Sequence, residues 1–501
     1  MRVGDVTLLA QVVGNALKHQ LTLGIEKQRE VRRLVDWLDR DLSEKKLSSS
    51  EKVKMILTLR QHGTTPDNAD AIYCKDGIAL LIKYGLDGET ADIRRAALRT
   101  IANALLLKSD MRQVFVDTGC VGKLAEKLRT ENSDDEMIVA RILFLTTYDT
   151  DLSFKSLITE HYLGENVHYV GDAYIEDIQD EGLIFHQQIR RHSKQIPKSG
   201  KKTLTAIDES ALTDVLKLVF NVCKLNPDLA ETFTQSIPYM FKIISRIDAP
   251  PQPLDGLIGY LVNALSTLDL TDKPGKFESS PFFPKFNPNC NVDKLINVLD
   301  AAVRHYETNE LETRIVPLIQ LLITIYEQAP EGPRKYMEWL LLPEDQDRSV
   351  PIGRSDTLSS KLLMLSTTPS VHLKTAISEL YFVLSGKNPE NLTKNIGYGF
   401  AAGFLASRGI EIPRDANEAF ATNRSNINPA FNPITGQRWD AEPQDTGPAM
   451  TQEEREREAE RLFVLFERAR ANGFIAENPV AQAVREGRFE ELPDDADSDL
   501  D

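Results

Sequence analysis

The sequence predicts an all-α protein: a right-handed superhelical solenoid of stacked helices, then a flexible linker and one further helix. Three observations predict it. Asparagine recurs near the same place in successive amphipathic helices, at Asn103 in IRRAALRTIANALL, Asn221 in TDVLKLVFNVCKL and Asn263 in LIGYLVNALSTL. The last two stand 42 residues apart, the period of armadillo and HEAT units, which cannot bury an apolar face alone and so stack on their neighbours. The chain's 501 residues exceed what one compact core usually supports, whereas an armadillo/HEAT-like array needs no central core.

Residues 1–410 are assigned to this array. In the first Asn-bearing helix Leu98, Ile101, Ala102 and Leu105 form a buried stripe, while Arg95, Arg99 and Asn103 align at i, i+4, i+8 on another face. The strings at 77–81 and 120–124, 43 residues apart, resemble the third helix of an armadillo unit, and 237–240 looks like another instance. A helix is read at 137–148. Around Asn221 the apolar set is Leu212, Val215, Leu216 and Val219, with Lys217 and Lys224 flanking the asparagine. Tyr260, Ser266 and Thr267 accompany Asn263. Further helices are read at 292–306, 315–328, 359–367 and 373–386. An Asn amide both donates and accepts, so it can hold a partner's backbone; equally, each could close a bond within its own repeat. The shared register favours a binding ladder.

Three stretches break the period and are read as loops or linkers: 164–208, with the basic run Arg190, Arg191, Lys194, Lys198, Lys201 and Lys202; 273–289, rich in Pro and Phe; and 411–449, rich in Asn, Pro, Thr and Gly. The basic run suits a solvated loop able to steer an acidic partner. Gly397 is a tight entry to the helix FAAGFLASRG, which Gly409 closes. Beyond the 411–449 linker, Thr451-Gln452-Glu453-Glu454 is a capping box opening a helix to about Asn472, within a partner-contacting segment 450–475. Its apolar face holds Ala459, Leu462, Phe463 and Phe466, and must dock on its own solenoid or on a partner. Residues 476–501 are an acidic tail.

The net charge of −16 argues against nucleic acid, although Met450–Asp501 carries 15 acidic and 7 basic residues, leaving the array closer to neutral. No apolar run nears 18 residues, and no basic-then-apolar leader opens the chain. A cytoplasmic protein is expected, peripheral at most to the plasma membrane. Cys74, Cys120, Cys223 and Cys290 are widely separated, which suits free thiols rather than disulfides or zinc. Gly200-Lys201-Lys202-Thr203 lacks the first glycine of a phosphate loop, and Gly397-Tyr398-Gly399-Phe400-Ala401-Ala402 lacks a preceding strand. No catalytic residue, metal site or cofactor is expected.

Several ordered strings resemble one family. LLLPEDQDRSVPIG, TLSSKLLMLST, LKTAISELYFVLSG, NIGYGFAAGFLASRG, NPITG and MTQEEREREAERLFVLFERARANG, across about 340–475, are similar to the synembryn family (resistance to inhibitors of cholinesterase); IRRAALRTIANAL and LKLVFNVC match more loosely. The resemblance implies an armadillo/HEAT superhelix that binds heterotrimeric G-protein α subunits, promotes GDP release and chaperones nascent α subunits. It implies a concave face that takes the α subunit's carboxy-terminal helix, and a helix beyond the linker that contacts its nucleotide-binding domain. Arg60, Asn103, Phe220, Asn221 and Arg348 are carried over as contacts from the matching strings. A groove bearing Arg95, Arg99, Lys217 and Lys224 would complement a helix carboxy terminus and its carboxylate; Asn263 extends the ladder, and Leu462, Phe463 and Phe466 make the second contact.

The chain departs from the family's animal members in one place. IEIPRDANEAFATNRSNINPAF holds no Ser or Thr with an acidic residue three places on, so acidophilic phosphorylation is not expected there; Ser498 is the one terminal candidate. A repeat-protein adaptor without exchange activity is the alternative reading, and an enzyme the third.

Overall fold

A computed structural model describes residues 3–161, 184–196, 204–271, 280, 282–410, 431–432, 435–442, 451–471 and 485. In chain order the helices are α1 (Val3–Glu44), α2 (Ser49–His62), α3 (Lys75–Asp87), α4 (Ala91–Leu107), α5 (Asp110–Val116), α6 (Val121–Glu126), α7 (Ser133–Leu145), α8 (Phe154–His161), α9 (Ile184–Gln195) and α10 (Ala206–Leu225). They continue as α11 (Ile237–Ile244), α12 (Leu257–Leu265), α13 (Cys290–His305), α14 (Thr308–Gln328), α15 (Glu331–Leu341), α16 (Leu358–Leu365), α17 (Val371–Leu384), α18 (Pro389–Ile396), α19 (Tyr398–Ser407) and α20 (Gln452–Ala471). The fold is all-helical; among the described residues the one β feature is an isolated antiparallel bridge between Phe431 and Arg438. The chain divides into two units, Met1–Ala441 and Glu442–Asp501.

Within the first unit α2, α4, α7, α10, α12, α14 and α17 pack each on the next, forming one continuous row. Others line its flank, with α3 on α4 and α5, α9 on α11, and α11 on α13. A helix inside such a row is covered on both sides. In α4, accordingly, Leu98, Ile101, Ala102 and Leu105 are buried as their spacing predicts, and so are Ile93, Ala97 and Ala104 on the adjoining face. What stays open is a narrow polar strip holding Arg95, Arg99 and Asn103. In α10 Leu212, Val215, Leu216 and Val219 are fully buried. The strings at 77–81, 120–124 and 237–240 fall in α3, α6 and α11, outside the row.

The stretch 164–208, expected as loop, contains helix α9. Its buried stripe, Ile184, Phe185, Gln188, Ile189 and His192, has helical spacing, but two of its members are polar. Tertiary bonds hold them: Gln188 Nε2 donates to the Leu128 and Thr130 carbonyls at 2.6 and 2.8 Å, and His192 Nε2 lies 3.0 Å from Glu136 Oε2. Arg191 of the basic run also pairs with Glu136, so this cation is built in rather than solvated. Lys198, Lys201 and Lys202 lie outside the described residues. Gly397 enters α19 at φ 76°, and Gly409 follows its end at φ 65°, backbone states that glycine adopts without strain. All four cysteines are free thiols; burial pushes the Cys223 thiol up to about 12.

Candidate functional site

The polar strip of the row is a chain of cross-links between consecutive helices. Asn132 opens α7 by accepting the Asp134 and Asp135 N–H groups at 3.0 and 3.2 Å, and the helix N-terminus favours those two carboxylates. From α4, Arg95 meets Asp135 with both arms of its fork, at 2.6 and 2.9 Å, and Arg99 donates to Asp134 at 2.7 Å. The hydrogen bond to Asp135 holds the Arg95 guanidinium more firmly protonated than usual. In the expected cationic stripe, Arg95 and Arg99 are thus already paired with acids from the next helix.

The next rung centres on Asp214 of α10, whose side chain is 2 % exposed and takes Arg141 of α7 at 2.7 Å. Burial pushes the Asp214 carboxyl above the ordinary range, against the opposing pull of Arg141 and Lys217. Lys217 reaches Asp214 at 3.5 Å and places its ammonium 4.8 Å from the Tyr260 ring centre of α12 and 5.5 Å from that of Phe144 of α7. It is a bridge among three helices rather than a free charge. Phe144 packs edge-on against Tyr148 at 5.3 Å.

The asparagines divide. Asn221 donates to Thr147 Oγ1 at 2.7 Å, an internal bond, though one to the end of the neighbouring row helix α7 and not within its own repeat. Asn103 and Asn263 are half-buried on α4 and α12, and neither amide makes a hydrogen bond with the described residues. Half-buried Phe220 lies beneath the Lys224 ammonium, 5.3 Å away, and half-buried Arg60 on α2 has no ion pair among the described residues. The sequence reading passed over an apolar edge: Leu106 and Leu107 of α4, Tyr148 after α7 and Leu225 of α10 are all exposed. Its signal was the apolar residues that outrun the last buried turn, Leu105 in α4 and Cys223 in α10. Arg141 and Phe144 were missed because α7 carries no asparagine.

Arg348 is not on this face. It is 6 % exposed, donates to the carbonyls of Gly436, Lys394 and Asn395 at 3.1, 3.2 and 2.9 Å, and stacks 4.3 Å from the Phe431 ring. Its expected role as a partner contact is replaced by an internal one. The Thr451 N–H donates to Glu454 Oε2 at 3.1 Å and the Glu454 N–H to Thr451 Oγ1 at 3.3 Å, realising the predicted capping box. Leu462, Phe463, Val464 and Leu465 are exposed and Phe466 is half-buried, so the apolar surface is wider than the one face expected. The tail, Ser498 included, lies outside the described residues apart from Arg485.

Comparison with known proteins fits the ordered strings. The model of a family described as guanine nucleotide exchange factor synembryn matches residues 55–488. The chain belongs to the synembryn family. Among curated synembryns, Chaperone Ric-8A of Xenopus tropicalis is 23 % identical over 511 residues, covering 94 % of this chain and 90 % of that protein. Chaperone Ric-8A of Macaca fascicularis is 28 % identical over 452 residues, covering 83 % and 80 %. A solved engineered protein aligns over 79 % of this chain and 85 % of its own at 14 % identity, but its TM-score of 0.32 is too low to define the fold. No described helix of this synembryn is long and apolar enough to cross a membrane.

Proposed function

We propose that this synembryn is a guanine nucleotide exchange factor and folding chaperone for heterotrimeric G-protein α subunits, built as an armadillo/HEAT-like superhelix. The carboxy-terminal helix of the α subunit lies along the polar strip of the α4–α7–α10–α12 row, and α20 contacts the nucleotide-binding domain. The observation that carries the placement is the pair of unbonded amides at Asn103 and Asn263, on a face where Arg95, Arg99, Lys217 and Asn221 are already engaged. An amide left open on a packed helix is ready to clamp a partner's backbone. The exposed Leu106, Leu107, Tyr148 and Leu225 supply apolar area beside it.

No bond is made or broken in this mechanism. Holding the last helix of the α subunit away from the nucleotide pocket it buttresses stabilises the nucleotide-free state, and GDP leaves. By linkage, returning nucleotide must weaken the complex to the same extent. The test is affinity for a purified α subunit as a function of nucleotide. Tight binding without nucleotide and release by excess GTP analogue with magnesium are expected; affinity indifferent to nucleotide would make the chain a repeat-protein adaptor.

A further inference from the structure

Residues 431–441 were expected within a linker, yet the described ones among them are fastened to the first unit. The Ile352 N–H donates to the Thr435 carbonyl at 3.0 Å and the Arg438 N–H to the Arg348 carbonyl at 2.8 Å. Gln437 Nε2 donates to the carbonyls of Ser349 and Ala441 at 3.1 and 3.0 Å. Gly436 sits at φ 67°, a backbone state that strains any residue with a Cβ, and a Cβ there would also press on the Ile352 side chain, 2.1 Å from its Cδ1. Arg348 ties the strap from beneath through its bonds to Gly436, Lys394 and Asn395. No carboxylate pairs with it among the described residues, and burial lowers its hold on the proton. A buried guanidinium satisfied by carbonyls alone is costly to keep, and three separate chain segments meet on it.

We infer that Arg348 is a positioning residue for the second unit: by clamping residues 431–441 it moves the point where the chain leaves the first unit from Ile410 to Ala441. Ten residues, 442–451, then precede α20 instead of the 41 residues 411–451. Whatever their conformation, ten residues span at most about 36 Å and 41 at most about 150 Å. For a tether that behaves as a random coil and can span its sites, effective concentration falls roughly as the −3/2 power of length, so shortening 41 residues to ten sets an upper bound of about eightfold on the gain for α20. This inference rests on the proposed two-part engagement of an α subunit, but the device itself can be measured without one.

The test places non-natural fluorophores at exposed Lys335 and Arg468 of the full chain and compares wild type with Arg348→Ala and the milder Gln437→Ala. Both variants should lengthen and broaden the distance distribution and speed hydrogen exchange at the Ile352 and Arg438 amides. Both should weaken α-subunit binding by the full chain by up to about eightfold. Binding to the chain ended at Ala441 should not change. A wild-type chain with 31 residues inserted after Glu442 should match Arg348→Ala in affinity while keeping its amides protected. Unchanged distances in both variants would overturn the inference, as would equal losses in the full and shortened chains, which would make Arg348 a direct contact. Failure of wild type to bind any α subunit, with the distance shifts intact, would sink the proposed function alone.

Discussion

The Arg99 guanidinium of α4 donates to the Asp134 carboxylate of α7 at 2.7 Å, and each side chain is 32 % exposed. A pair this open to water contributes little to folding, about 0–1 kcal/mol, and can exchange partners. Asp134 thus competes with any carboxylate a bound helix brings.

Removing the competitor should therefore help binding. Asp134→Asn is expected to strengthen capture of a carboxy-terminal α-subunit peptide two- to fivefold, reflecting about 0.5–1 kcal/mol, whereas Arg99→Glu should weaken it. Peptide titration by fluorescence anisotropy checks both. Weaker binding by a well-folded Asp134→Asn would mean that Arg99 needs its internal partner to be in place.

The asparagines should separate in a stability assay. Asn221→Ala strands the bond to Thr147 Oγ1 and should lower unfolding free energy by about 1 kcal/mol. Asn103→Ala and Asn263→Ala break no internal hydrogen bond, so they should leave denaturant midpoints unchanged while each costs on the order of 1–3 kcal/mol of peptide binding if the contact is buried. A midpoint shift for Asn103→Ala without loss of binding would place the site elsewhere.

Asp214 should leave a signature in the pH dependence of stability. Its folded-state pKa lies above the unfolded value because burial outweighs Arg141 and Lys217. The folded chain then holds the proton more tightly, so the contribution is most favourable below the unfolded carboxylate pKa and is lost as pH rises through the higher folded one. Relative to Asp214→Asn, wild type should lose stability on raising the pH from the unfolded carboxylate value toward neutrality. A relative gain would show that the two cations outweigh burial.

Ending the chain near Pro448 should leave peptide binding intact and reduce exchange or chaperoning. Replacing Leu462 and Phe466 by Ala should mimic the truncation, since a side chain buried on docking contributes roughly 1.5–3 kcal/mol. Hydrogen exchange across α20 reads the same event; full protection that an α subunit does not alter would make the helix a structural cap.

Much of this was legible because its causes are local. The stripe Leu98, Ile101, Ala102 and Leu105, the box of Thr451 and Glu454, and the glycines at 397 and 409 each follow from spacing of a few residues. The pairings of Arg95 and Arg99 were hidden because their acids lie 40 and 35 residues away, beyond any helical register. Helix α9 was hidden because Gln188 and His192 occupy buried positions that only tertiary partners make tolerable. Arg348 was expected as a contact through its place in the family-like string LLLPEDQDRSVPIG, and nothing local signals the burial of an arginine, a residue rarely found inside. The strap resembled a linker because its Asn-Pro-Gly composition signals loop, while its anchor, Arg348, lies 88 residues from Gly436.

The most direct test of the central claim is the rate of GDP release from a purified G-protein α subunit, with this chain and without it, under single-turnover conditions. Release should quicken in proportion to the chain's occupancy and fall back toward the intrinsic rate with Asn103→Ala or with the chain ended at Pro448. A rate unchanged at concentrations that saturate binding would contradict the account.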